Sequence, residues 1–320
     1  MEQTTLISAI ASDTLEGLSA SPKYLLPRYF YDDIGSRIFQ NIMQMPEYYL
    51  TECEYEILMT DKDEISSRFR GSNDPFDLVE LGSGDGIKSM ILIEHLGRLK
   101  SNFTYMPVDI SSQVTDDLVE DFIKNYPSLN IVPQIGDYFE VLEELKEIST
   151  NRKVIMFLGA NIGNFSDDET NLFLSKIGAI TVTGDRLMIG FDLKKSPEVI
   201  MNAYNDPHGY TRDFNLNLLE RFNREFGADF NITEFEHHTD YDPISGDVKS
   251  YLVSRSAQVV RLPYLDRSFS FKKWEPIFME RSRKFNTENI LNLAEKNGFR
   301  VEQNFIDNRG YFVDSLWMKC

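Results

Sequence analysis

Residues Phe76 to Lys88 read F-D-L-V-E-L-G-S-G-D-G-I-K. An apolar run (Phe76, Leu78, Val79, Leu81) stops at Gly82, Gly84 and Gly86, and a helical pattern with Met90, Ile91, Ile93 and Leu96 follows. Strand, tight turn and helix in that order predict the opening unit of a doubly wound sheet. There, glycines let the backbone approach a ligand at the carboxyl end of the first strand, and the helix N-terminus points at it. The spacing G-x-G-x-G is neither the G-x-G-x-x-G of dinucleotide binders nor the G-x-x-x-x-G-K-[ST] phosphate loop. A nucleotide-like cofactor without a pyrophosphate is the expectation.

Working outward, the next strand, Phe103 to Asp109, ends in an acid able to accept both hydroxyls of a ribose, a use shared by NAD and S-adenosylmethionine sites. Strand Asn130 to Ile135 leads into Gly136-Asp137-Tyr138, an acid and an aromatic suited to an adenine amino group and face. Glu80, two residues before the first glycine, suits a cation. S-adenosylmethionine carries a sulfonium and an amino group, whereas acids repel the two phosphates of a dinucleotide. The methyl donor is therefore favoured, with an NAD oxidoreductase as the competing reading. Helices Ser112–Tyr126, capped by Ser111 or Ser112, and Asp167–Ile180 alternate with strands Lys153–Leu158 and Arg186–Leu193, as in a parallel sheet covered on both faces. The tail predicts helix Thr287–Lys296 stopped at Gly298, then strands Val301–Ile306 and Tyr311–Met318 joined through Asn308-Arg309-Gly310. A sheet whose last strand returns antiparallel departs from the dehydrogenase arrangement. The fold class expected is α/β: a Rossmann-like class I methyltransferase sheet with an antiparallel last strand, plus a smaller α+β lobe.

The 320 residues are 42% hydrophobic and 26% charged, ordinary for a globular protein, with 51 acidic against 33 basic side chains and a net charge of -18. No basic stripe offsets that charge, which argues against nucleic acid or an anionic membrane as partner. Met1 to Ser21 is polar and acidic, unlike a signal peptide, and no apolar run reaches membrane-spanning length. Two cysteines, Cys53 and Cys320, fit a reducing compartment, so a cytoplasmic location and a monomer are expected. His95, His208, His237 and His238 show no ligand spacing with the cysteines; no metal is expected, and His237-His238 reads as loop surface.

Residues 5–60 read as helical and carry dense tyrosines in Y-F-Y-D-D (Tyr29–Asp33) and P-E-Y-Y (Pro46–Tyr49); Arg68 to Pro75 reads as a linker. Between Lys195 and Phe285 the alternation changes: helices at Ile200–Tyr204 and Thr211–Phe226 precede short strands at Tyr251–Val253, Val259–Val260 and Ser268–Phe271. The division expected is a cofactor domain of residues 62–195 and 286–320 and a substrate lobe of residues 1–61 and 196–285.

The strings L-P-R-Y-F-Y-D (Leu26–Asp32), P-E-Y-Y-L-T, E-L-G-S-G, V-D-I-S, F-L-G-A-N-I-G-N and E-F-G-A-D-F occur in an order that resembles the histidine Nα-methyltransferases of ergothioneine biosynthesis, over nearly the whole chain. The resemblance implies an S-adenosylmethionine-dependent enzyme that trimethylates the α-amino group of histidine to hercynine. Fungal relatives methylate a prenylated tryptophan amine, so another amino acid or a tryptophan-like aromatic amine is the alternative. Carried over by position, the resemblance places Gly82, Lys88, Asp109, Asp137 and Tyr138 at the cofactor. It places Tyr48, Gly159, Asn164, Tyr204, Glu280 and Ser282 at the substrate, with Tyr48 and Asn164 nearest the chemistry. Asn164 and Tyr204 offer donors suited to a carboxylate; Glu280 and Ser282, alternating onto one strand face, suit an imidazole. The chain departs from the family in Ser250, where a methionine is usual, and in Arg281, which stands between Glu280 and Ser282.

Overall fold

The computed structural model describes residues 2–71, 74–110 and 112–320. From the N-terminus come α1 (Glu2–Ser19), the short β1 (Lys23–Tyr24), α2 (Asp33–Met43) and α3 (Tyr49–Arg70). Asp32 caps α2, its carboxylate accepting the Gly35 N–H at 2.7 Å. An alternating series follows: β2 (Phe76–Leu81), α4 (Ile87–Arg98), β3 (Phe103–Asp109), α5 (Ser112–Asn125), β4 (Asn130–Ile131), β5 (Gln134–Ile135), α6 (Tyr138–Ile148), β6 (Arg152–Phe157), α7 (Asp167–Ile180) and β7 (Arg186–Asp192). Next come α8 (Pro197–Tyr204), α9 (Tyr210–Phe226), β8 (Phe235–Tyr241), β9 (Asp247–Ser254), β10 (Gln258–Leu262), β11 (Arg267–Phe271) and β12 (Pro276–Arg283). Helix α10 (Thr287–Lys296) and strands β13 (Phe299–Ile306) and β14 (Phe312–Lys319) close the chain.

The chain forms two compact units, Met1–Tyr49 with Lys195–Arg283, and Leu50–Lys194 with Lys284–Cys320. The division falls at the start of α3, not at residue 61 in its middle. The polar stretch read as a linker begins inside the last turn of α3; of its residues, Ser72 and Asn73 lie outside the described set, as does the capping candidate Ser111.

The second unit holds the large sheet, in the order β13, β14, β7, β6, β2, β3, β4, with β5 also paired to β3. Strands β2 to β7 run parallel, and β14 lies antiparallel to both β7 and β13. All six residues of β2 are buried, as a central parallel strand covered on both faces requires. The single strand expected over residues 130–135 parts into β4 and β5 around Pro133, whose nitrogen has no hydrogen to donate to a ladder. Val79, Leu81, Ile155, Phe157, Phe191 and Trp317 belong to the core of this unit. Where the chain leaves the sheet and returns to it, the Lys194 N–H donates to the Phe285 carbonyl and the Phe285 N–H to the Asp192 carbonyl, both at 2.8 Å. Beneath them the Lys284 ammonium meets the Asp192 carboxylate at 2.8 Å, both side chains wholly buried.

The first unit packs its helices against a sheet in the order β1, β12, β9, β8, beside the hairpin β10–β11. Phe30, Phe214, Leu218, Phe222, Leu252 and Ile277 lie in its core. The register of β12 on β9 slips by one residue: Phe278 faces Tyr251, and Glu280 faces Ser250. Met279 is the extra residue of a β-bulge. Since neighbours along a strand alternate faces, the bulge turns Glu280 away from the side of Phe278 and Tyr251 and onto the side of Ser250 and Thr239. The structure corrects the reading of His237-His238 as a loop: both lie in β8, paired with Leu252 and Tyr251. No helix among the described residues is long and apolar enough to cross a membrane.

Candidate active site

Gly82, Gly84 and Gly86 all take left-handed backbone angles, with φ of +73°, +52° and +66°, which side-chain-bearing residues rarely adopt. The turn they make is closed by the Gly82 N–H donating to the Val108 carbonyl at 2.8 Å. The Gly84 N–H donates to the Asp109 carboxylate at 3.2 Å, tying the turn to the end of β3. A Cβ built on Gly82 would lie 2.6 Å from the Tyr138 hydroxyl, so this glycine leaves room where the turn meets α6. The Tyr138 hydroxyl is pushed up from its ordinary pKa by burial and then by the charges of Asp109 and Asp137. Gly82, Asp109, Asp137 and Tyr138 are thus neighbours. Ser83 has a buried hydroxyl with no hydrogen-bond partner among the described residues. A cradle of this kind, with acids at the ends of two successive strands, fits an adenosyl group bearing a positive charge.

Lys88, in the first turn of α4, is ion-paired with Glu54 of α3, whose other oxygen accepts the Gly159 N–H at 2.6 Å. Glu54 is wholly buried. Sequence reasoning passed over it, although it occupies a helical stripe with Leu50, Ile57 and Leu58, where an acid is out of place unless partnered. Asn164 ends the short 3-10 helix Asn161–Asn164 and has an exposed side chain.

Glu80 overturns its expected role. Rather than facing a cation, it is buried, with its oxygens taken by the Ser89 hydroxyl at 2.7 Å and the Tyr105 hydroxyl, so it pins α4 to the sheet. Burial pushes its carboxyl up to about 7, against the pull of those two hydrogen bonds. A glutamate whose folded pKa is raised stabilises the fold at low pH, and that contribution is lost as pH rises from the unfolded value to about 7. The loss amounts to about 3 kcal/mol at ~1.4 kcal/mol per pKa unit. His237, held neutral by burial and lowered to about 4, contributes the opposite slope over the same window. Glu80→Gln is therefore expected to melt with wild type in acid and above it beyond neutrality. Parallel melting curves at every pH would remove the argument.

In the first unit the Tyr204 hydroxyl and Ser282 hydroxyl are hydrogen-bonded at 2.8 Å, and the Tyr204 carbonyl accepts the Thr239 hydroxyl at 3.0 Å. The Tyr48 ring lies edge-on to Tyr204, centroids 6.4 Å apart. On the same sheet face, the wholly buried Asn215 donates its amide to Glu280 at 3.2 Å and to the Thr211 carbonyl at 2.9 Å. Ser250, opposite Glu280, is buried with no hydrogen-bond partner for its hydroxyl among the described residues. Arg281 turns to the other side, where it and Arg283 pair with Asp247 at 2.8 and 2.9 Å. The sheet thus brings together Tyr48, Tyr204, Glu280 and Ser282, and adds Asn215, which no sequence motif marked.

A parallel sheet closed by an antiparallel hairpin, with a left-handed glycine turn and acids at the next two strand ends, defines a class I S-adenosylmethionine-dependent methyltransferase. Residues 10–319 match a family described as histidine-specific methyltransferase, SAM-dependent, and the chain belongs to that family. It is 34% identical over 308 residues to the histidine N-alpha-methyltransferase of Mycolicibacterium smegmatis, covering 96% of this chain and 94% of the relative. The enzyme of the same name from Mycobacterium tuberculosis is 33% identical over 312 residues, 97% and 95% of the two chains. The 4-dimethylallyltryptophan N-methyltransferase of Epichloe festucae var. lolii is 26% identical over 325 residues, 95% and 93% of the two chains.

Proposed function

We propose that the chain methylates the α-amino group of free histidine, three times in succession, to the trimethylated amino acid. S-adenosylmethionine supplies a methyl group on an already electrophilic sulfonium, so the protein needs no covalent nucleophile. Its own residues have three tasks. Asp109 takes the ribose hydroxyls, while Asp137 and Tyr138 take the adenine. The Asn164 amide and Tyr204 hydroxyl hold the substrate carboxylate without adding charge. Glu280 and Ser282 accept and donate to the imidazole, and the proton the amine must lose before it attacks is passed on to solvent by water or by the Tyr48 hydroxyl.

The observation that carries the choice of histidine is Glu280, turned by the bulge onto the face of Tyr204 and Ser282 and gripped there by Asn215. An indole or phenyl ring offers that half-buried carboxylate no matching pair of polar atoms, whereas an imidazole does. The test is to offer each free amino acid with the methyl donor and follow products by mass. Histidine gaining one, two and three methyl groups supports the reading; methylated tryptophan or arginine with histidine untouched rejects it. Asn164→Ala is expected to raise KM for histidine by roughly ten- to a hundredfold, the worth of one hydrogen bond to a charged group. The affinity for S-adenosylhomocysteine should stay within about twofold. Equal losses in both would remove Asn164 from the substrate.

A further inference from the structure

Strand β14 carries a carboxyl group that neither the sheet nor the site has so far used. Asp314 is wholly buried, and neither of its oxygens has a hydrogen-bond partner among the described residues. Its strand neighbours are uncharged, Gly190 on β7 and Phe305 on β13. The charge near it comes from the helices: Glu54 and Asp61 on α3, and Lys88 on α4. Glu54 lies directly over Gly190, for a Cβ built there would fall 2.5 Å from its oxygen. Asp314 and Glu54 are therefore adjacent carboxyl groups, both without solvent, and Lys88 is the cation they share. Two ionised carboxylates against one ammonium would leave a buried, uncompensated negative charge. A single added proton removes it and converts an oxygen of Asp314 into a donor.

We propose that Asp314 is a positioning residue, kept as the neutral acid, whose O–H donates to Glu54 and so fixes the Lys88 ammonium and the Gly159 N–H at the ends of β2 and β6. The chain of contacts runs from Asp314 to Glu54, and from Glu54 to both Lys88 and Gly159. Burial, then the Glu54 charge, push the Asp314 carboxyl well above its ordinary range, while Lys88 pulls it down. Raising the pH strips the proton. Ionised Asp314 then competes with Glu54 for Lys88, and the cofactor half of the site loosens. The inference rests on the methyl donor binding at the glycine turn and on nothing about the amino acid.

The experiment is calorimetric titration of S-adenosylhomocysteine from mildly acidic to alkaline pH, with wild type, Asp314→Asn, Asp314→Leu and Asp109→Ala. Asparagine keeps the shape and supplies an N–H donor that cannot ionise. Asp314→Asn is expected to bind within about threefold of wild type at neutral pH, and to lack a loss of roughly tenfold or more that wild type shows in alkali. The ligand's own amino group titrates alike with both proteins, so only the difference counts. Asp314→Leu is expected to bind roughly tenfold more weakly at neutral pH, since Glu54 then lacks its donor. Infrared difference spectra should show a neutral carboxylic acid band in wild type that Asp314→Asn lacks. That measurement stands even if the leucine variant folds poorly. Identical pH profiles for wild type and Asp314→Asn, or no such band, overturns the proposal. Asp109→Ala separates the two readings: normal binding by that variant removes the cofactor site itself, whereas its loss alongside silent Asp314 variants removes only Asp314.

Discussion

Replacing Lys284 by methionine is expected to destabilise the protein by about 4 kcal/mol, the usual cost of stripping one partner from a buried ion pair. The substitution leaves the Asp192 carboxylate, wholly buried at the end of β7, without its ammonium. The position compounds the effect. The backbone of Asp192 and Lys194 is hydrogen-bonded to Phe285 at the place where the chain leaves the large sheet and returns. Replacing both members, Lys284→Met with Asp192→Leu, is expected to recover most of the loss, because two apolar side chains leave no charge to bury. Denaturant unfolding of the four proteins in the cycle provides the check. Additive losses in the double variant would show that the two side chains act separately.

The second large effect is on selectivity. Glu280→Leu is expected to lower kcat/KM for histidine by roughly 100- to 1000-fold, or about 3–4 kcal/mol. That sums a charge-assisted hydrogen bond to the ring with a buried Asn215 amide left short of an acceptor. Because Asn215 retains the Thr211 carbonyl, the fold should hold. S-adenosylhomocysteine should bind as before, and activity with tryptophan relative to histidine should rise. A variant that loses donor and histidine binding alike would show that Glu280 shapes the protein and does not read the ring. Glu280→Gln, which keeps an acceptor for Asn215, is expected to lie between wild type and leucine.

How much of this was legible in the sequence follows from the range of the forces involved. The glycine turn, Asp109 and Asp137 are local: a backbone that must take positive φ writes itself as glycine, and an acid at a strand end stands out beside apolar neighbours. The hairpin of β13 and β14 was equally plain, since the turn residues Asn308-Arg309-Gly310 fall between Phe305-Ile306 and Tyr311-Phe312-Val313. Its closure rests on Asp307, whose carboxylate accepts the backbone N–H groups of Arg309, Tyr311 and Phe312. Strand β8 was missed because F-E-H-H-T-D-Y buries only Phe235 and Thr239 and exposes Glu236, His238 and Asp240, so composition masked alternation. Glu80 was misread because the feature that sets its role, a hydroxyl arriving from Tyr105 on the neighbouring strand, is not local to it. Asn215 and Asp314 were illegible for the same reason, each acquiring meaning only from a partner dozens of residues away, whereas Glu54 left a trace as an acid on the apolar stripe of α3.

Met279 makes the chemistry of one wall a matter of counting. Drawn into the ladder as an ordinary residue, it would exchange the occupants of the two faces beyond it and bring the guanidinium of Arg281 to the face where the carboxylate of Glu280 now stands. The charge this wall presents is thus set by how β12 pairs and not by its composition alone.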